Sequence, residues 1–277
     1  MNNTLLPPIS RARAYRLYDY RGNRIIDMYQ NNGHALLGHR SDKLTTVMKN
    51  VISRGLIFDM PSIYSKRLEK LVSGLFQDFN SIRIYSSINY ALEAASAYLG
   101  ESIDIDRIYD PAVQQQTEIT DIPSLTYWRP FLAPACEKQI FKARLLIPVL
   151  PFSIGGGPQI LCFREKIEEA FMPSSVIAPF LLAGIIRSIA DIKKYRKPEW
   201  NLEQYIDKSQ WNINTIYISA KFNKNQYNRV FQHFLSHNVL LSPVYPGPSI
   251  LPAELSLNEI KKIQHLFKKY PGDFACN

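Results

Sequence analysis

Leu150-Pro-Phe-Ser-Ile-Gly-Gly-Gly-Pro158 is the stretch whose reading decides the fold. The apolar run 145–150 leads into it and a second apolar run, 159–163, leaves it, each of strand length. Three consecutive glycines and a proline cannot continue either strand. Glycine takes positive φ freely and carries no side chain, so such a turn lets a ligand or another piece of backbone come close. The spacing predicts two strands joined by a tight glycine turn.

Outward on the N-terminal side, Arg83-Ile-Tyr-Ser-Ser-Ile-Asn-Tyr-Ala-Leu-Glu-Ala94 reads as strand, short polar turn and helix. Ser86, Ser87 and Asn89 are residues that cap a helix start, where free backbone N–H groups also favour an anion. Before it, Leu44, Val47, Met48, Val51 and Ile52, and then Leu68, Leu71, Val72, Leu75 and Phe76, fall at helical spacing. Gly55 and Pro61 bracket the linker between these two helices. Arg16-Leu-Tyr-Asp-Tyr-Arg-Gly-Asn-Arg-Ile-Ile-Asp27 predicts a β-hairpin turning at 20–23, followed by the loop Asn31-Asn-Gly-His-Ala-Leu-Leu-Gly-His39. Residues 1–10 read as a polar, proline-containing arm.

Outward on the C-terminal side, 177–190 predicts a helix with Pro179 near its start. A charged hinge at 193–198 precedes a strand over 213–222 and an amphipathic helix through Tyr227, Val230, Phe231, Phe234 and Leu235. Ser256-Leu-Asn-Glu259 is a capping box opening a last helix that carries Ile260, Ile263, Leu266 and Phe267. The middle of the chain, 101–144, carries no functional motif. Gln114, Gln115, Gln116 and Thr117 suggest a polar loop, and Tyr127-Trp-Arg-Pro-Phe-Leu-Ala-Pro134 is an aromatic, proline-rich segment suited to covering surface.

Composition narrows the classes. With 277 residues, 46% of them hydrophobic, the chain buries one large core or two smaller ones. The net charge of +9 comes from scattered Lys and Arg, with no basic run interleaved by aromatics, which argues against nucleic-acid binding. The three cysteines, Cys136, Cys162 and Cys276, have no metal-ligand spacing and suit a reducing compartment. The apolar run 176–186 stops at Arg187, short of a membrane span, and no signal peptide is evident. A cytoplasmic protein without membrane contact is expected. His233 and His237 lie four apart but have no third ligand nearby in sequence, so no metal is expected. No P-loop, dinucleotide fingerprint or Ser-His-Asp order is present.

These motifs, in this order, resemble the class III pyridoxal-phosphate-dependent aminotransferases, most closely the glutamate-1-semialdehyde aminomutase branch. The hairpin pattern Asp-x-x-Gly-Asn-x-x-Ile-Asp (Asp19 to Asp27), the Leu-Gly-His loop end and the strand, Gly-Gly-Gly, Pro turn are family features, and the resemblance covers about residues 11–100 and 145–270. In the family a lysine three residues before the glycines forms the Schiff base with the cofactor; Phe152 stands there. The family's phosphate-binding Ser-Gly-Thr turn corresponds to Ser87, Ile88, Asn89 and Tyr90, leaving Ser86, Ser87 and Asn89 as the cofactor-binding candidates. Arg11 falls where the aminomutase branch places an arginine for a substrate carboxylate, a task suited to a planar guanidinium. The aspartate that holds the pyridine nitrogen has no counterpart at matching spacing; Asp110 is the one strand-end aspartate on offer.

The resemblance implies an α/β fold of the fold-type-I aminotransferase kind: a trimmed large domain with a central, mostly parallel sheet, plus a small α+β C-terminal domain. The expected division is 1–28 as arm and hairpin joining the small domain, 29–197 as the trimmed large domain and 198–277 as the small domain. It further implies a homodimer. With Phe152 at the lysine position, the expectation is a protein without catalytic residues and without cofactor, acting by binding a partner protein or a small carboxylate. The alternative is an active pyridoxal-phosphate aminotransferase or aminomutase that takes its lysine from elsewhere, such as Lys138 or Lys142.

Overall fold

A computed structural model describes residues 6–39, 41–114, 123–154 and 157–269. Gly155 and Gly156 of the glycine turn, Gln115, Gln116 and Thr117 of the polar loop, and Cys276 lie outside the described residues. In chain order the elements are β1 (Ile9–Arg13), β2 (Arg16–Asp19), β3 (Arg24–Asp27), α1 (Asp42–Ile52), α2 (Ile63–Leu75), β4 (Ser81–Tyr85) and α3 (Ile88–Leu99). Then come β5 (Leu125–Trp128), α4 (Pro134–Ile140), β6 (Leu145–Pro148), β7 (Gln159–Phe163) and α5 (Pro179–Ile192). The chain ends with β8 (Trp211–Asn214), β9 (Tyr217–Ala220), α6 (Lys224–Ser236), β10 (Val239–Leu240), β11 (Ser249–Ile250) and α7 (Leu257–Lys269). No helix among the described residues is long and apolar enough to cross a membrane.

The chain forms two compact units, one of Met1–Arg40 with Tyr195–Asn277 and one of Ser41–Lys194. In the Ser41–Lys194 unit the sheet order is β4-β7-β6-β5. β4 and β6 are each antiparallel to β7, and β5 is parallel to β6, so β4, β5 and β6 run one way and β7 alone runs back. Beyond β5 the same direction continues through a parallel bridge between Tyr109 and Thr126. This is a mixed sheet in which three of the four strands run in one direction and β7 alone is reversed, where a mostly parallel sheet was expected.

Successive side chains of a strand leave on opposite faces. Tyr85 of β4 joins a buried cluster with Ala91, Ala94 and Ala95 of α3 and with Leu145, Ile147, Leu161 and Phe163 of the sheet. The three alanines give α3 a flat face that lies close to the strands. Ile84, one residue earlier, faces α2 and the Leu182 side of α5. Both faces of the sheet are covered, which is why β6 is buried at every position and reads as a continuous apolar run.

In the unit that contains both ends of the chain, β1, β2 and β3 form an antiparallel meander, and β10 adds to β3 in parallel. The hairpin turn at 20–23 is tied by Asp19, whose carboxylate accepts from the backbone N–H groups of Arg21 and Asn23 and from Asn23 Nδ2, each at 2.8 Å. A second antiparallel sheet has the order β11-β9-β8. Trp211 anchors the core, with edge-on contacts to Phe222 at 5.0 Å and Phe267 at 5.1 Å.

Three further readings of the sequence need correction. The arm ends earlier than expected, because Ile9 already pairs with Asp19 of β2, with Ser10 bulged before Arg11 resumes the ladder. The span 213–222 is not one strand but part of a hairpin, β8 to β9, which reverses at Thr215 with φ 56°. The aromatic segment starting at Tyr127 is not a surface cover at its start: Leu125–Trp128 is strand β5, inside the sheet.

Candidate functional site

Ligand sites of open α/β sheets gather beyond the C-terminal ends of the parallel strands. Because β4, β5, β6 and the Tyr109 bridge share one direction, Ser86, Asp110, Arg129 and Phe152 all leave the sheet at the same edge. The fold therefore brings Phe152 and the candidate phosphate turn to one side of one sheet. Arg11 belongs to the other compact unit, where it is exposed on β1 with its guanidinium 4.1 Å from the ring centroid of Tyr18.

Phe152 is 4% exposed and its N–H donates to Leu150 O at 2.8 Å. Its ring lies on α5 at Gly184: a Cβ at position 184 would stand 2.5 Å from Phe152 Cε2 and 3.2 Å from Met48 Sδ of α1. The turn beyond is equally close, since a Cβ on Gly157 would meet Ile154 O at 3.0 Å and the Phe152 ring at 3.4 Å. Both glycines are required by approach, and the side chain at 152 is a knob in a packed interior. Lys138 and Lys142 are both exposed and precede the N-terminal end of β6, at the far end of that strand from Phe152.

At the α3 start Ser87 is the N-cap, and its Oγ accepts from Tyr90 N–H at 3.4 Å. Ser86, Asn89 and Tyr90 are exposed, while Ile88 packs against the cluster that holds Tyr85 and Ala91. The cap accounts for Ser87, and a β-branched side chain fills the first turn where a phosphate turn needs open backbone.

The sequence reading missed Arg129. Directly beyond β5, it is 1% exposed and grips Asp110 with both nitrogens of its fork, Nε to Oδ1 at 2.9 Å and Nη2 to Oδ2 at 2.6 Å. Asp110 Oδ1 also accepts from Ala112 N–H at 3.1 Å. The Arg129 guanidinium sits 5.7 Å from the ring of Tyr127, whose hydroxyl is pushed up to about 12 by burial. Two parallel charge-assisted bonds are the strong form of this pair. The strand-end carboxylate is thus committed to a neighbouring guanidinium. An arginine between an apolar run and a proline was the only local signal.

Histidines take structural places. His39, at the end of the Leu-Gly-His loop, has Nε2 2.6 Å from Asp27 Oδ2, and Asp27 Oδ1 accepts from the N–H groups of Tyr29 and Gln30. His233 of α6 and His237, the residue that caps its C-terminal end, have ring centroids 4.6 Å apart, and among the described residues no group of three or more His, Cys, Asp or Glu is placed to hold a metal.

No family model matches the chain. An uncharacterized protein of Borreliella burgdorferi is 36% identical over 266 residues, covering 94% of this chain and 90% of that protein. A glutamate-1-semialdehyde 2,1-aminomutase of Anoxybacillus flavithermus is 31% identical over 98 residues, 34% of this chain and 23% of the aminomutase. Among solved structures, an omega-transaminase of Sphaerobacter thermophilus superposes with a TM-score of 0.65 at 12% identity, covering 97% of this chain and 91% of that one. The fold is thus that of the fold-type-I pyridoxal-phosphate aminotransferases.

Proposed function

The chain belongs to the class III pyridoxal-phosphate-dependent aminotransferase family, as a shortened branch shared with the Borreliella burgdorferi protein, and on that premise we propose that it has lost Schiff-base catalysis and acts by binding. The observation that carries this is Phe152, a buried ring seated on Gly184 where the family holds its lysine. Pyridoxal phosphate supplies an electron sink when a lysine, a phosphate cradle and a carboxylate at the ring nitrogen hold it. None of the three fits here: Phe152 offers no amine, Ile88 fills the cradle, and Asp110 is spent on Arg129.

The ligand on this reading is a partner protein or a small carboxylate, the latter at Arg11, whose exposed guanidinium lies over the Tyr18 ring. A homodimer accompanies the reading, as in the family, and the exposed Ile57, Phe58 and Ile63 of the Ser41–Lys194 unit offer apolar surface for it. The enzymatic alternative needs a desolvated lysine. The exposure of Lys138 and Lys142 does not favour it.

The test is titration of the purified protein with pyridoxal phosphate, followed by borohydride reduction and peptide mapping. We expect no visible absorbance of a lysine-bound cofactor and no labelled peptide. Such absorbance together with a label on Lys138 or Lys142 would overturn the reading.

A further inference from the structure

Scattered along the sequence, the positive charge gathers in the folded chain. Residues 1–40 and 195–277, which make one compact unit, hold 16 Lys and Arg against 8 Asp and Glu, whereas 41–194 hold 17 against 16. Within the first unit the excess collects on α7. Ile263, Leu266 and Phe267 are its buried side, and Phe267 packs edge-on against Phe234 of α6 at 4.9 Å. Residues three, four and seven apart share a helix face, and the face turned from the core carries Lys261, Lys262, His265, Lys268 and Lys269. Lys262 is half-buried and the other four are exposed. The only acidic residue of α7, Glu259, is buried and held by Arg16, with Arg24 3.6 Å away. Among the described residues none of the four lysines makes an ion pair.

The band continues past both edges of α7. His233 of α6 is held below its ordinary value by burial first and then by His237 and Lys269. Lys262 is held down by burial and then by Arg24, against an opposite pull from Glu259. Like charges therefore face each other from β3, α7 and α6, and α6 has no acidic residue to separate them. Crowding of one sign costs a fold stability, and carboxylates brought from outside would relieve it.

The strip fits a single chain of carboxylates. From Leu257 to Lys269 it is ~18 Å long at 1.5 Å per residue, and one helix face wide. Four of its five basic residues are lysines, flexible point charges without the fork that grips a phosphate in two places. No aromatic stands among the five to stack a nucleobase. The apolar side of α7 is spent on the core, so it offers no apolar face to a bilayer. Leu257, 76% exposed one turn before Lys261, gives the strip an apolar end.

We propose that this face docks an acidic segment of a partner protein, whose carboxylates meet Lys261, Lys262, Lys268 and Lys269 while an apolar side chain meets Leu257. On the reading that the chain acts by binding, this names the chemistry of its partner. Phe152 takes no part, so a labelled lysine would end that reading without touching this face, and loss of this face would leave that reading standing.

The test is fluorescence anisotropy of the full chain at physiological salt with a labelled glutamate-rich peptide that carries a leucine. A labelled DNA duplex and cosedimentation with phosphatidylserine vesicles run alongside. We expect the peptide to bind, and more tightly than the duplex or the vesicles. Lys261→Glu with Lys268→Glu should weaken it by about tenfold or more, because two exposed contacts of a few-fold each are not only lost but reversed. Lys70→Glu with Lys166→Glu, exposed and in the other unit, makes the same change in net charge and should shift binding by less than about twofold, since salt screens distant charges. If the α7 pair lowers the melting temperature, Lys261→Gln with Lys268→Gln carries the same expectation in direction. No binding of the peptide, equal losses from the two Glu pairs, or tighter binding of the duplex or the vesicles would each overturn the proposal.

Discussion

A side chain at position 152 enters packed protein, and this decides what a lysine there would do. The Phe152 ring fills the gap that Gly184 leaves in α5, beside Met48 of α1. Phe152→Lys places a flexible ammonium in that gap and removes the ring that filled it. We expect a loss of about 3 kcal/mol or more of unfolding free energy, from the lost ring and the buried charge together, and no gain of cofactor binding. The reciprocal change, Gly184→Ala, puts a methyl 2.5 Å from Phe152 Cε2. Alanine favours a helix interior by up to about 1 kcal/mol, but overpacking costs about 1–3, so the variant should be less stable. Urea unfolding reads both. A Phe152→Lys protein as stable as its parent, and coloured by pyridoxal phosphate, would mean that the ring's packing is incidental and that the lysine alone was missing.

At the scale of elements, the sheet edge is closed by a pair of strand ends. Tyr109 and β5 run side by side, and the residues that follow them, Asp110 and Arg129, lock together. Asp110→Ala removes the carboxylate that balances the charge of a buried guanidinium, so it should cost about 3–5 kcal/mol. Adding Arg129→Met should restore much of that loss, because the uncompensated charge is gone. A double-mutant cycle in urea checks this; strictly additive losses would show that the two groups act independently. This pair also shows where the sequence stopped being legible. Helices α1, α2, α6 and α7 could be read from their apolar spacing, α5 from the proline at its start, and the α3 cap from its serines, because those signals are local. Strand β5 could not, since Tyr127 and Trp128 run straight into Arg129 and Pro130 and only pairing with β6 makes them a strand. The hairpin at Thr215 gave no warning, because a β-branched residue at positive φ is the opposite of a turn signal. Arg129 became a site residue only through a partner 19 positions away in sequence.

At the scale of the whole chain, one compact unit is sewn from both termini, and a single carboxylate does much of the joining. Glu259, at the start of α7, accepts from Arg16 Nε at 2.9 Å and Arg16 Nη2 at 2.6 Å across 243 positions of sequence. It also closes the capping box, accepting from Ser256 N–H at 2.8 Å and Ser256 Oγ at 2.9 Å. Burial pushes this carboxyl up, but the Arg16 and Ser256 donors outweigh burial and hold it down at about 2, against an ordinary 4.5. A group whose folded pKa lies below its unfolded one stabilises the fold above the unfolded value and ceases to do so as pH falls through the folded one. Stability should therefore decline as pH falls from about 4.5 towards about 2. Acidification also adds positive charge to a chain already at +9, and that repulsion would lower stability whatever Glu259 does. The comparison that separates the two is Glu259→Gln, which keeps the side chain's size but loses the charge, the titration and one of the two acceptor oxygens. It should be less stable than its parent at neutral pH, and the difference between their urea midpoints should shrink across this window. A gap that stays constant with pH would mean that Glu259 joins the two ends of the chain by packing and not by charge.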